Sequence, residues 1–214
     1  MYSVVIPTLW RSENFEESIN NVLHHPLVGE VIVINNDEAR TPQWFKELQT
    51  TKITYVNFKE NIYVNPAWNH GVHISKYDKI CLMNDDIVFF NHIFDFLYHK
   101  VDMLSGIIGM HKNCYEPADS DVLAIEDCHV LENGSGFGCL MFLDKRTYQP
   151  IPDMLKIYCG DDWIFYENLK KGLIPKVVKN LQIWGHIGLT SCEAIFDEIK
   201  FRDIEIYSRM KQNV

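Results

Sequence analysis

The sequence lacks the features that mark membrane-spanning, secreted and nucleic-acid-binding proteins. Its 214 residues contain no apolar run near the roughly 20 residues needed to cross a bilayer. The first residues lack the basic stretch and the small-residue cleavage site of a secretory signal, so we expect a soluble, cytoplasmic protein. Positive charge is also scarce, because 20 Lys and Arg stand against 29 Asp and Glu, for a net charge of -9. Such a chain is a poor general ligand for nucleic acid, which needs a positive field.

Disulfide frameworks, zinc sites and glycine-rich phosphate loops are missing as well. The six cysteines include no Cys-x-x-Cys pair, a usage typical of reduced, buried thiols. The first predicted strand–helix turn, Pro7–Arg11, contains no glycine, which argues against a dinucleotide-binding fingerprint. The glycine-rich run Gly134–Gly138 is not followed by the Lys-Ser or Lys-Thr of a P-loop. No internal repeat or low-complexity segment is present.

Short apolar runs alternate with helical patterns through the first half of the chain. We predict strands at 3–6, 30–34, 53–56, 79–83 and 107–110, and helices at 13–25, 41–48, 65–75 and 91–104. This order predicts an α/β fold with a mostly parallel central sheet and helices on both faces. Ligands of such sheets bind at the carboxyl ends of the strands.

The second half is predicted to complete the sheet. The irregular, acidic stretch 111–132 is expected to form a loop over a site. Further predictions are strands at 138–143, 176–179 and 182–184, a helix at 161–171 closed by Gly172, and a tail helix from 193 with Ile195, Phe196, Ile199 and Ile206 on one side.

Acidic side chains stand directly after the predicted strand 79–83. Asn84, Asp85 and Asp86 place two carboxylates side by side, and these repel one another unless a cation is present. A hard divalent ion with oxygen ligands provides that charge and often holds substrate phosphates at the same time. The alternative interpretation is a helix cap or turn, which Asn and Asp also favour.

Three other segments contain residues that could take part in catalysis or binding. Asp161 and Asp162 open a predicted helix, where they serve either as caps or as a general base. His186 lies between glycines, which let the backbone approach a ligand, although a lone histidine is more often buried in a core. The run that includes Gly136 and Phe137 is either a tight turn or a smooth wall for a sugar.

Six segments follow one another in a recognisable order: Ser3–Thr8; Val31–Asp37; Asn61 with Ala67, Asn69 and Gly71; Leu82–Ile87; Gly160–Trp163 with Gly172; and His186–Gly188 with Ser191. Together they resemble the GT-A fold and, within it, the family 2 glycosyltransferases. The resemblance covers residues 2–191. It implies a GT-A domain at 1–191 and a C-terminal helical tail, 192–214, packed on the same domain. The compact size is similar to glycosyltransferase domains of large DNA viruses of algae, which would place the protein in a host cytoplasm.

The resemblance also implies a function. It is that of a metal-dependent enzyme, with inversion favoured, that moves a hexose or deoxyhexose from a nucleotide diphosphate sugar, with UDP favoured, to a hydroxyl acceptor such as a glycan. It implies Mn2+ or Mg2+ held by Asp86 and His186, with Asp86 in the "DxD" region of the family. The implied nucleotide-sugar-binding residues are Pro7, Thr8, Arg11, Asn36, Asp37, Asn61, Asn69, Asn84, Asp85, Gly136 and Phe137.

The chain departs from the family pattern at several of these positions. The first acid of the DxD region is an amide, Asn84, which leaves Asp86 as the main metal ligand and Asp85 on the ribose. Either Asn36 or Asp37 would read the base, and either Asp161 or Asp162 would act as the general base. The alternatives to a glycosyltransferase are a sugar-phosphate nucleotidyltransferase and a non-catalytic module that binds a sugar or nucleotide.

Overall fold

A computed structural model describes residues 1–117, 120, 122–132, 136–185, 188 and 193–212. Within these residues an eight-stranded sheet is flanked by helices, and a two-stranded sheet lies beside it. The strands are β1 (Tyr2–Thr8), β2 (Val28–Asn35), β3 (Ile53–Asn57), β4 (Lys79–Met83), β5 (Ile87–Phe89), β6 (Ile108–Met110), β7 (Ala124–Asp127), β8 (Leu140–Asp144), β9 (Lys176–Lys179) and β10 (Ile183–Gly185). The α-helices are α1 (Phe15–Leu23), α2 (Gln43–Glu47), α3 (Val64–Ile74), α4 (Ile93–Leu97), α5 (Gly160–Lys170) and α6 (Asp197–Gln212).

The large sheet is mostly parallel, as predicted. Its strand order is β3-β2-β1-β4-β8-β6-β9-β7. The first four of these strands run parallel to one another, β8 is antiparallel to both of its neighbours, and β7 is antiparallel to β9. The α/β class is therefore confirmed. Because β1, β2 and β4 are parallel, their carboxyl ends meet at one edge of the sheet, where ligands of such folds bind.

Both faces of the sheet are buried, which explains the nearly continuous apolar runs of its central strands. Successive residues of β1 point to opposite faces, so Val4 and Ile6 join one apolar cluster and Val5 joins the other. Helices α1 and α4 cover the first face, and α3 and α5 cover the second. Each fully buried Val or Ile contributes about 1.5–3 kcal/mol relative to exposure.

Close packing of α3 places its first turn at the edge of the sheet. A Cβ atom on Gly71 would lie 2.2 Å from Val5 Cγ1, so only glycine permits this approach of helix and strand. The first turn of α3 then stands next to the carboxyl ends of β1 and β2. This placement is what brings α3 side chains to the cavity described below.

Several predicted elements differ from the structure. Pro7 does not end β1, because it stays in register with Ile34 and the strand continues to Thr8. The predicted apolar stripe after 91 was wrong at its far end: α4 stops at Leu97, and Leu104 is 80% exposed. The stretch 111–132 is not only a loop, because it contains β7 and a short 3-10 helix.

The tail helix is present, but its predicted inner face is partly wrong. Ile195 is 73% exposed, whereas Phe196 is buried. The residues before α6 form a separate 3-10 turn, which rotates Ile195 out of the helical stripe. No helix among the described residues is long and apolar enough to span a bilayer. The cysteines at 81, 114, 128, 139 and 159 are free, but only Cys81 and Cys114 are buried, so the prediction of buried thiols is wrong for the other three. Cys192 lies outside the described residues.

Candidate active site

A cavity of about 310 Å³ lies at the edge where β1, β2 and β4 end. It collects most of the predicted site residues, although these are far apart in the sequence. The predicted residues that line it are Pro7, Thr8, Asn36, Asn61, Asn84, Asp85, Asp86, Gly136, Phe137, Asp161 and Asp162. The acidic clusters after β4 and at the start of α5 therefore face one space.

Asp85 is held by the end of the first strand. Thr8 Oγ1 donates a hydrogen bond of 2.5 Å to Asp85 Oδ2, and Trp10 N donates one of 2.8 Å to Thr8 Oγ1. Burial raises the pKa of Asp85 to about 7, the charge of Asp86 adds to the rise, and the Thr8 hydrogen bond opposes it. This carboxylate is thus fixed in direction but poorly solvated when ionised.

Asp86 is 4% exposed and directly precedes β5, a strand of the two-stranded sheet. Gly188 N donates to Asp86 Oδ2 at 2.9 Å. Strand pairing sets Gly185 opposite Ile87, and a Cβ on Gly185 would lie 2.1 Å from the Asp86 carbonyl oxygen. The segment that carries His186 is therefore in contact with Asp86 at residues 185 and 188. His186 itself lies outside the described residues, as do Ile187, Ser191, Gly134 and Ser135.

Residues that follow the end of β2 form another wall of the cavity. Asn36 is 7% exposed and lines the cavity, with its Oδ1 accepting a 3.2 Å hydrogen bond from Ile62 N. Asp37 is not part of the lining, and its carboxylate pairs with Arg40 Nε at 3.1 Å. Of the two predicted base-reading residues, the structure brings Asn36 to the cavity. Asn61 also lines it and accepts a 2.8 Å hydrogen bond from the Tyr63 backbone.

The second acidic pair sits at the first turn of α5. Burial raises the pKa of Asp161 to about 6, with a further rise from the charge of Asp162, while a backbone N–H of Gly138 opposes it. A Cβ on Gly138 would lie 2.6 Å from Asp161 Oδ2, so the glycine allows close contact. Burial also raises the pKa of Asp162, and the Lys211 ammonium counteracts that rise.

Besides Asp37, two further predicted binding residues, Arg11 and Asn69, do not line the cavity. The Asn69 side chain binds the loop after β8, since it accepts from Tyr148 Oη at 2.7 Å and from Ile151 N at 2.9 Å, and donates to Ile151 O at 2.7 Å. Arg11 forms an ion pair with Glu193 instead, and its guanidinium carbon lies 5.7 Å from the centre of the Phe196 ring. Of the two, Arg11 contacts a cavity residue, Phe196.

Sequence reasoning missed several cavity residues. They include Trp68, Cys139, Tyr158 and Phe196. Tyr158 could have been found from its place just before the Gly160-Asp161 segment. Phe196 carries no such signal, because it reaches the cavity only through the packing of the tail against the rest of the fold. The described part of the chain contains no group of three or more His, Cys, Asp or Glu side chains arranged to hold a metal ion.

Comparison with known families gives a match over the first half of the chain. The family described as "Glycosyl transferase family 2" matches residues 3–102, slightly less than half of the sequence. The matched range includes β1 to β5 and the Asn84–Asp86 cluster, but not Asp161 or Asp162. A search among curated proteins returned no match.

Solved glycosyltransferase structures are similar over most of the chain. TarS from S. aureus, residues 1–349, has a TM-score of 0.58 at 13% identity and covers 78% of this chain and 55% of its own. GalNAc-T7 with UDP, GalNAc and Mn2+ has a TM-score of 0.65 at 10% identity, covering 90% of this chain and 45% of its own. The mannosyltransferase PcManGT from Pyrobaculum calidifontis, with GDP-Man and Mn2+, has a TM-score of 0.60 at 13% identity, covering 81% and 53%.

This chain spans about half the length of these structures, and at such identities the likeness concerns the fold. The matches support the predicted enzyme class, glycosyltransferase. None of them supports the similarity to viral proteins. The chain thus has the GT-A fold, and its residues 3–102 match glycosyltransferase family 2.

Proposed function

We propose that the protein is a metal-dependent glycosyltransferase that moves a hexose or deoxyhexose from a nucleotide diphosphate sugar to a hydroxyl acceptor. UDP is the favoured nucleotide, and inversion at the anomeric carbon is the favoured outcome. The bound UDP of GalNAc-T7 and the bound GDP-Man of PcManGT make both nucleotides worth testing. Free cysteines fit a reducing compartment such as the cytoplasm.

The charge of the cavity is the observation that carries this proposal. Five acidic residues line it: Asp85, Asp86, Glu132, Asp161 and Asp162. No Lys, Arg or His of the described residues does so. A nucleotide diphosphate is itself an anion, so it needs a cation between its phosphates and these carboxylates. The acidic lining of the cavity therefore supports the proposed metal dependence.

The donor groups that follow β4 fit a hard divalent cation such as Mn2+ or Mg2+. Asn84, Asp85 and Asp86 offer only oxygen donors, the kind of ligand that these ions prefer. Asp86 would hold the ion, with Asn84 and His186 as further candidates, and Asp85 would bind the ribose. The bound ion would supply charge neutralisation for the leaving diphosphate.

The acceptor side of the reaction belongs to α5. Asp161 and Asp162 line the cavity across from the β4 cluster, and one of them would take the proton from the attacking hydroxyl. A base is most effective when its pKa lies near the working pH. Burial brings Asp161 toward that range by raising its pKa to about 6. Both carboxylates stay candidates, because both face the cavity.

Calorimetry with UDP tests the metal and its main ligand. We expect Mn2+ to promote UDP binding and EDTA to abolish it. Asp86→Ala should weaken UDP binding in Mn2+ by roughly 10–100-fold or more, the range seen when metal sites are disturbed. Asp153→Ala is the matched control, because it removes an exposed aspartate that lies off the cavity, and it should bind normally. Equal UDP affinity with and without metal would contradict the proposal.

A donor screen then tests the activity. UDP-, GDP- and dTDP-sugars incubated with enzyme and Mn2+ should show slow hydrolysis of one class, with release of the nucleoside diphosphate. Release of pyrophosphate from a nucleoside triphosphate and a sugar phosphate would instead identify a nucleotidyltransferase. Binding without turnover of any donor would indicate a non-catalytic module.

A further inference from the structure

Helix α6 buries an acidic side chain in the face that packs on the domain. Asp203 is fully buried on the same face of α6 as Ile206 and Tyr207, which belong to or pack against the apolar core. Its Oδ2 accepts hydrogen bonds from three successive backbone N–H groups, those of Lys156, Ile157 and Tyr158, at 2.9, 2.8 and 3.1 Å. Charge-assisted bonds of this kind are roughly twice as strong as neutral ones, and three of them fix the local backbone.

The backbone that Asp203 holds runs directly into the acidic pair of α5. Ile157 and Tyr158 line the cavity. The next residue, Cys159, has φ of 60°, and a Cβ on Gly160 would lie 2.1 Å from Asn65 Oδ1. This tight turn leaves little freedom between the held segment and Asp161. A shift of residues 156–158 would therefore move the carboxylates at the start of α5.

A second contact joins α6 to the same helix start. Tyr207 and Lys211 follow Asp203 at four-residue spacing, so the three side chains share one face of α6. Asp162 and Tyr166 share a face of α5 for the same reason. Lys211 Nζ lies 3.9 Å from the centre of the Tyr166 ring and 5.0 Å from that of Tyr207. The ammonium group is thus placed on the face of α5 that carries Asp162.

We propose that α6 is a positioning element of the active site, in which Asp203 fixes the backbone of residues 156–158 and Lys211 supplies positive charge beside Asp162. This inference rests on the proposed function, since it concerns the segment that carries the general base. Asp203 and Lys211 act through other residues and are positioning residues. In this proposal the C-terminal helix contributes to catalysis by positioning the residues that carry the general base.

The first test compares Asp203→Asn with Glu205→Gln. Both variants remove one negative charge from α6, but Glu205 is exposed and pairs only with Arg209 among the described residues. In Asp203→Asn we expect kcat for metal-dependent hydrolysis of a UDP-sugar to fall about 10–100-fold, the cost of a small misplacement of reacting groups. Affinity for UDP in Mn2+ should stay within about twofold, because Thr8, Asp85 and Asp86 are held by other elements.

Amide hydrogen exchange provides a readout that needs no substrate. In Asp203→Asn, exchange at residues 156–158 should accelerate, and in Glu205→Gln it should not. Wild-type turnover together with wild-type exchange in Asp203→Asn would overturn the proposal. A wild-type enzyme without turnover would count against the proposed function instead, while the exchange data would still report on the contact of Asp203 with the backbone.

The second test keeps the proposal falsifiable if Asp203→Asn does not fold. Lys211 lies at the exposed end of α6, so Lys211→Met should fold normally. Arg209→Met on the same helix is its control, because the Arg209 side chain is 74% exposed and pairs with Glu205. The groups that face Asp162 are Asp161, Cys159, Tyr207 and Lys211. Lys211 favours the ionised form of Asp162, so its loss should raise the pKa of Asp162, measured by carboxyl NMR. An unchanged Asp162 pKa in Lys211→Met would overturn this part of the proposal.

Discussion

Burial raises the pKa of Asp85 to about 7, and the adjacent charge of Asp86 contributes to the rise. An aspartate in an unfolded chain ionises near its ordinary value of 3.8. Asp85 therefore favours the folded state while it is protonated, and this contribution is lost as the pH rises from about 4 to about 7. At neutral pH the ligand-free protein keeps a destabilising carboxylate where the proposed cation would bind.

Asp85→Asn should accordingly stabilise the protein in EDTA at pH 8. We expect the free energy of unfolding to increase on the order of 1–3 kcal/mol, because one pKa unit corresponds to about 1.4 kcal/mol and the site is partly solvated. Near pH 4 the variant and the wild type should be equally stable. Thermal melts at both pH values check this, with the exposed Asp153→Asn as control. A variant less stable than wild type at pH 8 would contradict the argument.

The acidic pair of α5 leads to a kinetic prediction. Converting the true base to asparagine should lower kcat by about 10²–10⁴ while the affinity for UDP is kept. If Asp161 is the base, activity should fall as the pH drops below about 6, because its carboxylate is protonated there. Steady-state kinetics of Asp161→Asn and Asp162→Asn across pH separate the two. Near-normal turnover in both variants would show that neither Asp161 nor Asp162 is the general base.

At the scale of elements, Gly138 allows the 3-10 turn Phe137–Cys139, which precedes β8, to approach α5 closely. A side chain at Gly138 would displace the Asp161 carboxylate, which would be only 2.6 Å from the new Cβ. Gly172, which ends α5 with φ of 75°, has no atom within 4 Å of the position that a Cβ would occupy, so its role is conformational. A substitution at Gly138 is therefore expected to affect the site, and one at Gly172 to affect folding.

Gly138→Ala should lower turnover more than stability, and Gly172→Ala should do the reverse. For Gly172→Ala we expect a loss of about 1 kcal/mol in the free energy of unfolding, the cost of a left-handed backbone for a residue with Cβ. Its kcat should stay unchanged. Denaturant unfolding and donor hydrolysis on both variants check the pair. Unaltered hydrolysis in Gly138→Ala would show that Asp161 tolerates displacement.

Elements with a strong local signal could be predicted, and those that depend on pairing could not. The bounds of β4 and β9 were predicted correctly, because each is an apolar run with clear polar flanks. Strand β5 was missed, and β10 was placed one residue early. Each has three residues, and they form a sheet only with each other. Strand β7 was missed because two of its four residues, Glu126 and Asp127, are exposed acids.

The same distinction applies to the site. Asn36, Asp85 and Asp161 could be predicted because each stands at the end of a strand or the start of a helix, where such folds bind ligands. The structural roles of Arg11 and Asn69 could not, since their partners lie 182 and up to 82 residues away in the chain. Asp203 could not be found either, because three bonds to a distant backbone give no sequence pattern.

At the scale of the whole molecule, the charge of the cavity agrees with that of the chain. The net charge is -9, the pI is about 5.4, and the described lining of the cavity is acidic without a compensating Lys, Arg or His. Neither long-range nor local fields attract a phosphate chain. Under the proposed function, a metal ion would recruit the nucleotide, and a terminal diphosphate chelates such an ion better than the single phosphates of a polynucleotide.

Oligouridylate should therefore fail to bind where UDP binds. The RNA offers the same base and ribose and more negative charge, but it has no terminal diphosphate. In Mn2+ at about 0.15 M salt, where exposed charges are screened beyond about 8 Å, we expect no displacement of a fluorescent UDP analogue by a uridine decamer. Unlabelled UDP is the positive control. Competition by the decamer at UDP-like concentrations would mean that the cavity recognises the nucleoside without the metal–diphosphate contact, and the acidic clusters would then need another role.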